Sequence, residues 1–158
     1  MGETGAVDIW ADYAKTTLVF RDDLGQTWKL CPAAARHVGD WVLGPASFRR
    51  PTTEAWVITA WNPHSVQAES TDNERSNKHM VREIEAAGLR FTPAKGQAED
   101  GTWSEDSFLV HDPDPEWLVT VAARYEQNAV FRWSRESWSV VGVLLDGTVT
   151  MGWSVVGS

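Results

Sequence analysis

One run in the middle of the chain constrains the fold more than any other. Residues 55–61 (Ala-Trp-Val-Ile-Thr-Ala-Trp) are rich in aromatic and β-branched side chains, and apolar residues occupy both alternating sets of positions. A strand that is apolar on both faces is typical of the interior of a covered sheet. We therefore expect a central strand here, which ends at Asn62-Pro63, a pair that is common in turns.

Two helices and three further strands are predicted after this run. Residues 71–74 (Thr-Asp-Asn-Glu) have the form of a capping box, which predicts a helix over residues 71–87 with Thr71 as its N-cap. Asp114 followed by Pro115 predicts the start of a second helix. The intervening β-rich runs predict strands at about 89–92, 106–110 and 128–133.

The resulting order, strand–helix–strand–strand–helix–strand, is the split βαβ pattern of ferredoxin-like folds. We therefore expect an α+β fold whose core covers about residues 55–133, with both helices on one face of the sheet. Hairpins at about residues 16–30 and 138–155 would extend that sheet or cover its other face. A different α+β sheet, with the same elements in another strand order, is the alternative. The length is that of one ordinary domain, so residues 1–158 are treated as a single domain.

Composition and charge exclude several classes of protein. The net charge of −8 disfavours nucleic acid and anionic membranes as partners. No apolar run approaches the ~18 residues of a membrane span, and the first residues lack the pattern of a signal peptide. The single cysteine, Cys31, excludes an internal disulfide framework. An exposed edge of either outer hairpin could pair with a second copy, and the pattern leaves a homodimer open.

The expected topology brings three polar segments to one edge of the sheet. They are residues 62–65 (Asn-Pro-His-Ser), residues 101–105 (Gly-Thr-Trp-Ser-Glu) and Gln127-Asn128. Ligands favour such strand ends, where loops converge on a rigid sheet. Asn73 and Asn77 continue the apolar stripe of the first helix towards this edge, where they either satisfy backbone groups or face a polar ligand. The start of that helix would suit a carboxylate or a phosphate.

Glu105 is the candidate for proton transfer at this edge. It follows Trp103 by two positions, so both side chains share a face of an extended strand, and a carboxyl beside an aromatic wall can have a raised pKa. His64 is its predicted acid–base partner. The alternative for each residue is structural: a turn, a loop brace or an exposed charge. The predicted substrate-binding residues are Asn62, Ser65, Asn73, Asn77, Trp103, Ser107, Gln127 and Asn128.

The same motifs resemble a bacterial family known as domain of unknown function 3293. The resemblance lies in residues 58–65 (Ile-Thr-Ala-Trp-Asn-Pro-His-Ser), in Asn73 and Asn77, in residues 103–108 (Trp-Ser-Glu-Asp-Ser-Phe) and in residues 125–129 (Tyr-Glu-Gln-Asn-Ala). It covers roughly residues 55–133, and Tyr125 stands where the family pattern has phenylalanine. The resemblance implies a bacterial, cytoplasmic protein and no particular activity. It also supports treating Asn62, Glu105 and Gln127 as one group.

Three functions fit these observations. The first is a small enzyme that acts on a small polar metabolite through Glu105 and His64. No phosphate-binding loop, dinucleotide fingerprint or metal-ligand spacing is present in the sequence, so neither a metal nor a bound cofactor is expected. The second is a module that binds a small molecule or a nucleotide at the same residues without turnover. The third is an acidic domain that binds another protein.

Overall fold

The computed structural model of the chain describes residues 10–33, 42–43, 48 and 53–157. A short helical segment at 10–14 precedes the first strand. A 3-10 turn, Pro63–Ser65, follows the central strand. The helices are α1 (Ser70–Ala86) and α2 (Pro115–Arg124). The strands are β1 (Thr17–Arg21), β2 (Thr27–Ala33), β3 (Val42–Leu43), β4 (Ala55–Ile58), β5 (Phe91–Gln97), β6 (Ser104–His111), β7 (Ala129–Trp133), β8 (Trp138–Gly142) and β9 (Thr148–Gly157).

Eight of these strands form a closed antiparallel barrel. Their order around the barrel is β2-β1-β5-β6-β4-β7-β8-β9, and β9 pairs with β2 to complete it. The closing ladder joins Trp28 to Gly157 and continues to Ala33 and Gly152. The short strand β3 adds to β9 in parallel.

A cluster of large aromatic side chains lies in the interior of the barrel. Trp28, Trp133, Trp138 and Trp153 are all buried there, together with aliphatic residues such as Leu30. The ring centroids of Trp133 and Trp153 lie 5.3 Å apart in a T-shaped arrangement. An eight-stranded barrel has an interior just wide enough to be filled by side chains, and these four tryptophans supply much of that filling.

Both helices pack on the outside of the barrel. Met80 and Ile84 of α1 and Leu118 and Val121 of α2 are fully buried against the outward side chains of the strands. The central strand β4 is therefore covered on both faces, as expected, with Val57 inside the barrel and its alternate positions under the helices. No helix in the described ranges is long and apolar enough to cross a membrane.

One of the two N-caps predicted from the sequence is observed in the structure. Asp114 caps α2 as expected, because its carboxylate accepts a hydrogen bond from the Glu116 N–H at 3.1 Å. The expected cap of α1 is wrong. The helix begins at Ser70 after Glu69, and Thr71 is its second residue.

The expected ferredoxin-like α+β fold is wrong. The four strands expected as its core are consecutive members of the barrel, in the order β5-β6-β4-β7, but neither end of this group is an edge. The β1–β2 hairpin joins it at β5, and the β8–β9 hairpin joins it at β7. These hairpins then pair with each other through β2 and β9, so they are part of the barrel wall.

Barrel closure also removes the exposed hairpin edge through which a homodimer could have formed. In the described chain β1, β2, β8 and β9 each pair on both sides, which leaves neither hairpin with the free edge that was expected. Closing a sheet on itself is the most complete way to protect its edges. That residues 1–158 form a single domain stays a prediction.

Candidate functional site

One end of the barrel opens into a polar groove. The groove has a volume of about 950 Å³ and lies where β4 ends, α1 begins and β6 begins. Its walls include Tyr13, Trp61, Asn62, Ser65, Trp103 and Glu105. A groove of this volume has the size of typical small-molecule sites.

A narrow recess continues from the groove into the barrel. It has a volume of about 40 Å³ and shares Tyr13, Asn62 and Glu105 with the groove. Gly96 and Ser107, among other small residues, line it. At the opposite end, large rings such as those of Trp28 and Trp153 fill the barrel. The recess therefore lies at the end of the barrel where Gly96 and Ser107 leave space, although Phe131 and Trp138 also line it.

Glu105 lies at the junction of groove and recess. Burial of its carboxyl raises the pKa to about 7, because the charged form loses hydration there. A hydrogen bond from Asn62 Nδ2 to Glu105 Oε1 lowers the pKa, but it is long, at 3.4 Å. The carboxyl is therefore poised to hold or release a proton near neutral pH.

Two hydroxyl groups stand at the mouth of the recess. The Tyr13 and Ser65 oxygens lie 2.6 Å apart, and Asn128 Nδ2 donates to Ser65 Oγ at 3.0 Å. Burial raises the pKa of Tyr13, so its phenol stays protonated at neutral pH. Tyr13 is not among the residues predicted from the sequence, because it precedes the first strand and belongs to no motif.

The loop that carries Asn62 and Ser65 has a strained backbone. Asn62, His64 and Ser65 have φ values of 49°, 58° and 61°, in the left-handed region that non-glycine residues seldom adopt. The Asn62 side-chain oxygen accepts hydrogen bonds from Ala68 N at 2.9 Å and from Asn73 Nδ2 at 2.8 Å. Asn62 N in turn donates to Asn73 Oδ1 at 2.8 Å. This network holds the loop, and the Asn62 amide group, against Glu105.

Asn73 and Asn77 brace the site. Both are buried. Asn77 Oδ1 accepts from Ala60 N, and its Nδ2 donates to the Asp106 carbonyl, each at 2.9 Å. Asn73 lines the groove, but its amide bonds the Asn62 loop. Both amides satisfy backbone groups, which is one of the two alternatives left open by the sequence, and ligand contact by either residue stays a prediction.

Three further predicted residues lie at or near the recess. Gln127 Nε2 donates to the carbonyl oxygens of Trp61 and Tyr125, at 3.1 and 3.3 Å. Ser107 Oγ donates to the carbonyl oxygen of Glu105 at 3.2 Å. Gln127 and Ser107 line the recess. Asn128 does not line it, but its amide donates a hydrogen bond to Ser65, which does.

The structure places the side chain of His64, a predicted catalytic residue, apart from Glu105. Its ring is exposed and lies 3.6 Å from the Glu126 carboxylate. It lines neither the groove nor the recess. The structure thus brings Glu105 together with Tyr13 and Ser65, and not with His64. Among the described residues no group of three or more histidine, cysteine or acidic side chains is arranged to hold a metal ion.

Removal of the Asn77 amide tests the bracing role. We expect Asn77→Ala to lower the free energy of unfolding by about 2–3 kcal/mol, because the buried Ala60 N–H and Asp106 carbonyl lose their partner. Urea denaturation followed by circular dichroism measures this loss. Glu74→Ala, at an exposed position of the same helix, is the control. A loss in Asn77→Ala no larger than that in the control would contradict the role.

Comparisons with known proteins add one finding. Neither the curated proteins nor the solved structures contain a match to this chain. One family model does match, and the matched residues include Asn62, Glu105 and Gln127. Residues 58–130 match the family described as protein of unknown function (DUF3293), the family that the sequence motifs resemble.

Proposed function

We propose that this protein is an enzyme that binds a small polar molecule in the groove and uses Glu105 as a general acid or base. The observation that carries the proposal is the largely buried carboxyl of Glu105, which lines both the 950 Å³ polar groove and the recess and whose pKa is raised to about 7. A general acid or base is most efficient when its pKa lies near the working pH. The proposed chemistry needs neither a metal ion nor a bound cofactor.

The surrounding groups would orient the substrate. The Tyr13–Ser65 hydroxyl pair can donate and accept hydrogen bonds beside the carboxyl. Trp103, which is 37% exposed, offers an apolar wall on the groove side. The Asn62 network holds the loop that carries Ser65, and the Asn62 amide beside Glu105, before a ligand arrives, so these groups need less ordering on binding.

A binding module without turnover is the second candidate, and one observation favours it. Among the described residues that line the recess, Glu105 is the one carboxyl, and no lysine, arginine or histidine accompanies it. Tyr13 has a raised pKa and is therefore a poor base at neutral pH. A site with a single proton-transfer group binds ligands readily but supports fewer reactions.

The location and partners form part of the proposal. A cytoplasmic protein agrees with the single cysteine, since no internal disulfide can form. The net charge of −8 supports a small polar molecule over nucleic acid as the partner.

A ligand screen on matched variants tests the proposal. Amines, amino-acid derivatives and nucleosides would be screened by thermal shift against the wild type, Glu105→Gln and Asn62→Ala, and hits would be assayed for turnover. We expect a ligand whose turnover falls at least about 100-fold in Glu105→Gln, because general acid–base catalysis contributes that much or more.

Glu136→Gln, an exposed change at the β7–β8 turn, is the control for loss of one carboxyl. Binding that depends on Glu105, with no detectable reaction, would select the binding module. Ligands that shift the melting temperature of the wild type, Glu105→Gln and Asn62→Ala equally would contradict both candidate functions.

A further inference from the structure

The groove is lined by acidic side chains and lacks basic ones. Asp12, Glu69 and Glu105 supply three carboxyl groups. None of the described residues that line the groove or the recess is lysine, arginine or histidine. A phosphate or carboxylate in this groove would therefore meet like charge, which binding sites for anions avoid.

Aromatic side chains line the groove together with the carboxyl groups. Trp61, Trp103 and Tyr13 line the groove, and Trp103 and Tyr13 extend to the recess beside Glu105. Indole and phenol rings attract cations through their negative faces, most strongly where water is partly excluded. Carboxylates together with aromatic walls are the combination that recognises ammonium and guanidinium groups.

We propose that the ligand of this groove is a small organic cation, whose ammonium or guanidinium group lies against Glu105 and the rings of Trp103 and Tyr13. This inference rests on the proposed function, because it names the class of molecule that the same site takes. Asp12 and Glu69, both exposed on the groove wall, would attract the cation before it reaches Glu105.

The start of α1 does not outweigh this charge. A helix N-terminus carries the equivalent of about half a positive charge, which favours anions. Here Glu69 is the N-cap residue and Asp72 lies in the first turn, so acidic side chains already meet the dipole. The sequence-based expectation of a carboxylate or phosphate at this helix start is replaced by that of a cation.

Proton release gives the inference a specific signature. A cation stabilises the carboxylate form of Glu105, so a carboxyl half-protonated near pH 7 gives up its proton on binding. Affinity should then rise about tenfold between pH 6 and pH 8. An anionic or hydrogen-bond-accepting ligand would favour the protonated form, and its affinity would fall over the same range. The other titratable groups facing the groove are Asp12, Glu69 and Tyr13, while β5 contributes Gly96 opposite Glu105.

Isothermal titration calorimetry at pH 6, 7 and 8 and constant ionic strength is the test. The cationic probes are choline, whose charge does not depend on pH, and agmatine. The matched probes are 3,3-dimethylbutan-1-ol, the neutral isostere of choline, and the dianion glutarate. We expect a cation to bind more tightly than the neutral and anionic probes, with proton release visible as a dependence on the buffer.

The variants assign the effect to Glu105. We expect Glu105→Gln to weaken cation binding about thirtyfold and to remove the pH dependence. Asp12→Asn and Glu69→Gln, at exposed positions, should weaken binding by about fivefold or less. Glu136→Gln should bind as the wild type does. Denaturation curves of each variant verify that it is folded.

The outcomes separate this inference from the proposed function. If glutarate or the neutral alcohol binds best and Glu105→Gln abolishes that binding, the cation inference is wrong and the proposed site stands. If cations bind equally well to Glu105→Gln, or if no cation binds, the inference is also wrong. If every ligand that binds is indifferent to Glu105→Gln, the proposed function fails with it.

Discussion

The Glu105→Gln variant should be more stable than the wild type at pH 8, by up to about 3 kcal/mol in the free energy of unfolding. The folded-state pKa of Glu105 is raised from 4.5 to about 7, because burial penalises the carboxylate. The stabilisation that the protonated carboxyl gives is fully present below pH 4.5 and is lost as the pH rises to 7. Glutamine has the same shape and no charge, so it avoids this loss.

Urea denaturation of both proteins between pH 4 and pH 8 measures the effect. The two free energies should agree to within about 1 kcal/mol at pH 4 and diverge as the pH rises. The exposed variant Glu136→Gln should follow the wild type throughout. Parallel curves for Glu105→Gln and the wild type would mean that the carboxyl is already hydrated in the folded protein. A residue that costs stability when it is ionised is typical of a functional site.

Trp153→Ala should cause the largest loss of stability, about 3–5 kcal/mol. Trp153 is fully buried where β9 pairs with β2, and its ring packs 5.3 Å from that of Trp133. Its indole N–H also donates to the Ser134 carbonyl at 3.1 Å. The substitution removes interior contacts at the seam that closes the barrel. Equilibrium denaturation followed by far-ultraviolet circular dichroism measures the loss.

Two variants show what the loss means. Trp103→Ala removes the same side chain at a position that is 37% exposed, and it should cost about 1 kcal/mol or less. Trp153→Phe retains an aromatic ring and loses the hydrogen bond, so its cost should lie between the other two. If Trp153→Ala is as stable as Trp103→Ala, closure of the barrel through β9 adds little to the free energy of unfolding. The β8–β9 hairpin would then be attached to a core that is stable without it.

The sequence predicted which residues of the candidate site lie close together better than it predicted what the site does. Asn62, Trp103, Glu105 and Gln127 were expected at one sheet edge, and the structure places all four around one cavity. That expectation depended on which strands are neighbours. The order β5-β6-β4-β7 keeps the same strands adjacent within the barrel, so the same strand ends lie together. His64 was expected beside Glu105, but the left-handed backbone of Asn62, His64 and Ser65 turns it towards Glu126. The Asn62-Pro63 pair indicates a turn there, but the residue types do not predict the direction in which the turn points His64.

By itself, the sequence determined several of the local elements. The two-faced strand at 55–58, the cap at Asp114 and the hairpin around Gly147 follow from side-chain period and turn chemistry, which act over a few residues. Only the tertiary structure shows that the sheet closes into a barrel and which polar side chains meet at its open end. Closure pairs Trp28 with Gly157, and Tyr13 meets Ser65 across 52 positions. Such contacts depend on the twist of the whole sheet and on how large and small side chains share its interior, and no local pattern records either.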